Sequence, residues 1–240
     1  MKSRIPVAAV LGLLVLAGCA TSAETLPGQQ ISQTFERPVL VSGQYLLYLP
    51  ESYEQQAGWP LLLFLHGAGE RGDDLEKVKI HGPPKLVEAG QDMPFIVVSP
   101  QVPESQRWSV TMLDGVLQEV VANYNVDADR IYVTGLSMGG FGTWDLAMAF
   151  PNRFAAIAPI CGGGASHNAC AIKDVPVWNF HGAKDTVVPI ERSQEMVDAL
   201  EKCGGDVRFT VYPEAGHDAW TETYDNPELY DWLLQHRRGE

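Results

Sequence analysis

Uninterrupted apolar runs recur along the chain, and each stops at glycine, proline or a polar residue. Leu61–Leu65 stops at His66-Gly67, Phe95–Val98 at Ser99-Pro100, and Ile131–Val133 at Thr134-Gly135. Ala155–Ile160 stops near Cys161-Gly162, Val175–Phe180 at His181-Gly182, and Val207–Tyr212 at Pro213. Short runs without polar alternation predict strands buried on both faces, as in a mostly parallel sheet. Two earlier strands are predicted near Ile31–Glu36 and Tyr45–Leu49, with a turn at Ser42-Gly43 between them.

Helical spacing fills the intervals. Leu113, Val116, Leu117, Val120, Val121 and Tyr124 recur every three or four positions and form one apolar stripe, with Ser109 as its N-cap. A second helix is predicted to start near Pro189, bury Met196, Val197 and Leu200, and end at Gly204-Gly205. A last helix starts near Pro227 and carries Leu229, Tyr230, Leu233 and Leu234. Strand–helix alternation of this kind predicts an α/β fold, a mostly parallel central sheet with helices on both faces. Ligands of such sheets gather beyond the carboxyl ends of the strands. The stops of the apolar runs are therefore where chemistry is expected.

One stop is distinctive. Gly135-Leu136-Ser137-Met138-Gly139 follows a buried strand and precedes Phe141, Trp144, Leu146, Ala147 and Met148, an apolar helical segment that ends at Pro151. This is the G-x-S-x-G nucleophile elbow, in which a strand turns sharply into a helix and lifts a serine hydroxyl clear of the sheet. Glycines flank the serine because strand and helix nearly touch there. A serine hydroxyl needs a base within hydrogen-bond reach, and the base needs an acid that fixes its tautomer. The expected chain order is Ser, then Asp or Glu, then His. His217 lies just past the last strand, where the base belongs, whereas His236 falls in the terminal helix and His167 in the Cys161–Cys170 loop. Asp185, in His181-Gly182-Ala183-Lys184-Asp185, follows the preceding strand and is the candidate acid, with His181 as a structural neighbour. Asp174 sits at the wrong end of that strand, and Glu214 and Asp218 are too near His217 in sequence to orient its ring. Oxyanion donors are expected from the backbone amide of Met138 and from the loop His66-Gly67-Ala68-Gly69, with Ala68 first and Gly69 second. His66 reads as an anchor of that loop.

Residues from about 35 to 237 resemble the α/β-hydrolase superfamily. Within it they are similar to secreted bacterial esterases of the dienelactone-hydrolase, feruloyl-esterase and polyhydroxybutyrate-depolymerase-like kind. The resemblance rests on His66-Gly67-Ala68-Gly69-Glu70-Arg71-Gly72, Gly135–Gly140, His181–Asp185 and Gly216-His217-Asp218-Ala219-Trp220. It implies a serine esterase acting through an acyl-enzyme, without metal or organic cofactor. Dienelactone hydrolases proper use a cysteine nucleophile where this chain has Ser137, which favours simple ester hydrolysis. A serine peptidase requires the same triad, and a non-catalytic binding protein on the same fold is the alternative outside the enzymes. The Gly162–Asp174 segment is too short for a helical cap, so an open site is expected. Trp108 and Trp220 lie near site loops, either as walls for an acyl or aryl group or as ordinary packing, and an open site suits esters borne on polysaccharides. Glu70 and Arg71 either contact substrate or pair with each other.

Charge and cysteines add a location. Lys2 and Arg4 precede an apolar run, Val7 to Ala17, too short to span a bilayer. Leu16-Ala17-Gly18-Cys19 resembles the lipobox of bacterial lipoproteins, which implies a signal peptide over 1–18 and lipid attachment at Cys19. By the same resemblance, Ala20 after the cysteine implies the outer membrane of a Gram-negative cell. Residues 19–30 then form a tether and 31–240 the hydrolase domain. Loss of 1–18 removes two cations and shifts the formal net charge from −13 to about −15. Such acidity argues against nucleic acid and anionic membrane as partners, leaving a lipid anchor as the only membrane contact. Export permits disulfides, and Cys161 and Cys170 in one small-residue loop form the expected pair, with Cys203 left over; the alternative is three free thiols. No Cys/His spacing suggests a zinc site.

Overall fold

The computed structural model describes residues 30, 34–38 and 40–239. The chain divides into two units, 1–39 and 40–240. The expected signal peptide, Cys19 and nearly all of the tether lie outside the described residues. In the first unit, residues 34–38 have no regular secondary structure. The strand expected over Ile31–Glu36 is therefore corrected for Thr34–Glu36, while 31–33 lie outside the description. Phe35 is 91% exposed, so no buried face rewards strand pairing there.

The second unit is built on one sheet. Its strands are β1 (Gln44–Tyr48), β2 (Trp59–Leu65), β3 (Ile96–Gln101), β4 (Val126–Leu136), β5 (Ala156–Ile160), β6 (Val177–Gly182) and β7 (Val207–Tyr212). The spatial order is β1-β3-β2-β4-β5-β6-β7. β1 runs antiparallel to β3, with Tyr45 opposite Pro100, and every other pairing is parallel. All of β2 is buried, as its unbroken apolar run requires of a central parallel strand.

Alternate residues of each strand feed opposite faces. Leu61, Leu63 and Leu65 pack with α2 (Val110–Asn123), α3 (Met138–Ala149) and α4 (Glu191–Lys202), through Leu113, Leu117, Trp144 and Met196. Leu62 and Phe64 face the other way, against Tyr224 of α5 (Trp220–Asp225) and Leu229 and Leu233 of α6 (Pro227–Leu234). α1 (Gly82–Glu88) lies on this second side, where Leu86 and Val87 pack against the same cluster. Each of these leucines contributes about 1.5–3 kcal/mol by leaving water. Between β5 and β6 the described chain holds only a 3₁₀ turn, Ser166–Ile172, and no cap domain.

The disulfide differs from expectation. Cys170 bonds Cys203, and Cys161 is free and buried. Cys161 follows β5, where its backbone N–H donates to the carbonyl of Phe180, and its sulfur lies within 4.8 Å of His181 and Asp185. Cys170 sits on the 3₁₀ turn, which lies against α4, and Cys203 caps the C-terminus of α4. Their Cα atoms are 5.5 Å apart, within disulfide range. Proximity in sequence misled because the 3₁₀ turn carries Cys170 away from the strand and toward the helix. The bridge closes a loop with a sequence separation of 33, which in the chain-entropy model stabilises by about 3–4 kcal/mol. Cys170→Ser is expected to lower unfolding free energy by that order, and alkylation under non-reducing denaturation followed by peptide mapping is expected to label Cys161 and spare Cys170 and Cys203. Recovery of a Cys161–Cys170 peptide would contradict this pairing.

Candidate active site

The site forms where β4 ends. Ser137 has φ 52° and ψ −116°, a left-handed conformation rare for a residue with a Cβ. Its strain is of the order of 1–3 kcal/mol and persists because the surroundings over-determine it. The Ser137 amide donates to the Ile160 carbonyl at 2.9 Å, and the Ser137 carbonyl accepts from Phe141 at 3.1 Å. A Cβ at Gly139 would collide with the Leu65 carbonyl, and one at Gly135 with the Gly139 backbone. The two glycines thus permit α3 to start directly over the end of β2.

The structure brings the three predicted site residues together from three loops. Ser137 Oγ lies 2.9 Å from His217 Nε2, and His217 Nδ1 lies 2.7 Å from Asp185 Oδ2. Asp185 is fully buried at its side chain and His217 is 19% exposed. Asp185 Oδ1 accepts from the amides of Val187 and Val188 at 2.8 and 2.9 Å. Burial alone would raise its pKa. The bonds from His217, Val188 and Val187 outweigh that and hold the carboxyl below its ordinary value. An ionised Asp185 accepts from Nδ1–H, so Nε2 presents its lone pair to the Ser137 hydroxyl. The geometry suits removal of the hydroxyl proton at Nε2.

The loop after β2 is held by its carbonyls. Trp108 Nε1 donates to His66 O at 3.1 Å, His66 Nδ1 to Gly67 O at 2.6 Å, Arg71 Nε to Ala68 O at 2.8 Å, and Gln101 Nε2 to Glu70 O at 2.8 Å. With those carbonyls tied back, the orientation of the intervening amides is fixed. Ala68 opens a 3₁₀ turn, Ala68–Glu70, whose first two residues are exposed, and Met138 opens α3, where the first amides of a helix have no acceptor within it.

His66 explains much of this rigidity. Its Nε2 accepts from the Val102 amide at 3.0 Å while Nδ1 donates to Gly67 O, so the ring is a neutral bridge between β3 and the loop. Burial is the main cause that pushes its pKa down to about 4. Sequence reasoning missed the role of Gln101, and its only signal was a polar residue at the end of an apolar strand. Trp108, open in the sequence to a pocket wall or ordinary packing, packs against His66 at 4.7 Å between ring centroids. Trp220 does stand at the site, its ring perpendicular to His217 at 5.0 Å. Arg71 bonds Ala68 O and Gln106 O rather than Glu70. Glu70 is buried near His81, at 3.9 Å, and His66, at 4.0 Å.

Fold and convergence define an α/β-hydrolase whose serine, histidine and aspartate meet at the carboxyl edge of the sheet. Comparison with known proteins narrows the class. Residues 101–231 match the Dienelactone hydrolase family, and the chain belongs to it. It is 25% identical over 209 residues to a probable feruloyl esterase C of Aspergillus terreus, covering 85% of this chain and 76% of that protein. It is 29% identical over 186 residues to a bifunctional acetylxylan esterase/xylanase of Neocallimastix patriciarum, covering 72% of this chain and 26% of that longer protein. A solved thermostable esterase superposes with a TM-score of 0.71 at 36% identity, over 81% of this chain and 59% of that one. Family and relatives together put the chain among the carboxylic ester hydrolases.

The His66 bridge generates a pH prediction. A histidine whose folded value lies below its unfolded value of about 6.5 stays neutral while the unfolded chain takes up a proton. Its stabilising contribution is complete above that value and is lost as pH falls toward about 4. His66→Gln is therefore expected to flatten the decline in unfolding free energy between these limits by up to about 3 kcal/mol. Urea denaturation of both proteins across this range checks it, and parallel declines would contradict the buried neutral state.

Proposed function

We propose that the protein is a serine esterase that hydrolyses carboxylic esters through an acyl-enzyme. The observation that carries this reading is the continuous hydrogen-bonded chain Ser137–His217–Asp185, with 2.9 and 2.7 Å links. Ser137 Oγ attacks the ester carbonyl as His217 Nε2 takes its proton. Asp185 holds the imidazole tautomer and offsets the charge that develops on it. The amides of Met138 and Ala68 receive the oxyanion, with Gly69 as the second choice in the loop. His217 then protonates the departing alcohol, and water activated by the same nitrogen releases the acid.

The substrate class proposed is acyl or feruloyl esters borne on polysaccharides. The named activities of the relatives support it, and so do the uncapped site and the Trp220 ring beside His217. We also propose that the protein is an exported lipoprotein anchored at Cys19, tethered by residues 19–30. The basic start, the apolar run and the Leu16-Ala17-Gly18-Cys19 stretch support this, as does the Cys170–Cys203 bridge, which suits an oxidising compartment.

Ser137→Ala is expected to lower kcat/KM on para-nitrophenyl acetate by at least about 10⁴-fold while leaving the thermal transition in place. Retained activity would refute the assignment. Trp220→Ala is expected to reduce turnover of methyl ferulate about 10-fold more than that of the acetate; equal losses would argue against an aromatic subsite. Labelling of the expressing cells with radioactive palmitate is expected to mark the wild type and not Cys19→Ser.

A further inference from the structure

Asp185 has a second histidine at its back. Its Oδ2 lies 2.7 Å from His217 Nδ1 and 3.2 Å from His181 Nε2, and the His181 and Asp185 side chains are both fully buried. The protons around the His181 ring are determined by its neighbours. Nε2 is 2.9 Å from the carbonyl oxygen of Val188, which can only accept, so Nε2 carries a proton. Nδ1 is 2.8 Å from Ser193 Oγ. The Ser193 hydroxyl donates its single proton to the Gly162 carbonyl at 2.8 Å, which leaves its oxygen to accept from Nδ1. Both ring nitrogens then hold protons, and an imidazole with two N–H groups is a cation.

We propose that His181 is a buried imidazolium that serves as the counter-charge of Asp185 and positions that carboxylate for His217. An ionised carboxylate out of solvent is costly unless charge and hydrogen bonds meet it. His217 cannot be that counter-charge at rest, because a base must be unprotonated to accept the Ser137 proton. His181 supplies it from the opposite side. The other groups facing the ring add no charge. Cys161, the residue after β5, brings its sulfur within 4.8 Å of a ring nitrogen of His181 and a carboxylate oxygen of Asp185. Burial first, and then the Asp185 charge, push that thiol up to about 12, so it is a neutral S–H. Ser193 of α4 is a hydroxyl. Among the described residues, Asp185 is the only acid within ion-pair distance of His181. The imidazolium also offsets part of the Asp185 charge that faces His217.

The effect on rate rests on the reading of Ser137, His217 and Asp185 as the catalytic groups; the charge on His181 does not. Nitrogen NMR of the full chain labelled at histidine is expected to show one ring with both nitrogens protonated from pH 5.5 to 8. Its resonances should vanish in His181→Gln and shift in Ser193→Ala, the second variant securing the assignment if the first fails to fold. His181→Gln keeps an N–H that can point toward Val188 and removes the charge. It is expected to move the acid limb of the kcat/KM profile to higher pH by about half a unit or more, whereas a merely structural histidine would lower activity without moving the limb. A His181 ring with one bare nitrogen in this range, or an unmoved limb in a folded His181→Gln, overturns the proposal. In Ser137→Ala the doubly protonated His181 signals should persist, so failure of the serine mechanism and failure of this inference are distinguishable.

Discussion

The backbone of α3 crosses the end of β2 so closely that no side chain fits between Gly139 and the Leu65 carbonyl. Everything at the site depends on that contact. It forces the chain to reverse within one residue, and Ser137 takes the left-handed turn at φ 52°. It points the serine hydroxyl out of the sheet and places the first amides of α3 beside the loop that follows β2. A larger residue at position 139 would push helix from strand and separate the Ser137 hydroxyl from the amides next to it. Strain at Ser137 is sustained by the surrounding core, where Trp144, Leu146 and Ala147 of α3 are fully buried.

Around this contact the protein arranges polar groups so that little is left to move. His66, Trp108, Arg71 and Gln101 hold the carbonyls of one loop, and their side chains come from that loop, from the end of β3 and from the segment before α2. On the other side of the serine, two backbone amides and two histidines surround the Asp185 carboxylate. Preorganisation of this kind lowers the reorganisation needed when charge develops during reaction. It also places buried titratable groups where their protonation affects folding as well as chemistry, as the neutral His66 shows.

Much of this was legible in the apolar pattern. Unbroken runs such as Leu61–Leu65 can only be satisfied by burial on both faces, so the parallel strands and their carboxyl ends followed, and with them the stretches holding Ser137, Asp185 and His217. What escaped was decided by contacts distant in sequence. α1, seven residues opening on Gly82-Pro83-Pro84, is too short to show a helical stripe and is fixed where Leu86 and Val87 meet the core. Trp108 lies near the site in sequence, and that proximity leaves undecided what the structure shows, an indole N–H donated to the His66 carbonyl. Cys170 pairs with Cys203 because a 3₁₀ turn lies against α4, a packing that spacing does not encode. Two histidines beside one aspartate are likewise visible only once β6 and β7 are adjacent.

The central claim is that the Ser137 hydroxyl is activated by His217 and not merely exposed. Reaction of the purified chain with a fluorophosphonate probe, followed by peptide mass mapping, tests it most directly. A single adduct on Ser137 in the wild type, and at least a hundredfold slower labelling in His217→Ala, is the result this account predicts. Labelling at another residue, or labelling of Ser137 at an unchanged rate without His217, would contradict it.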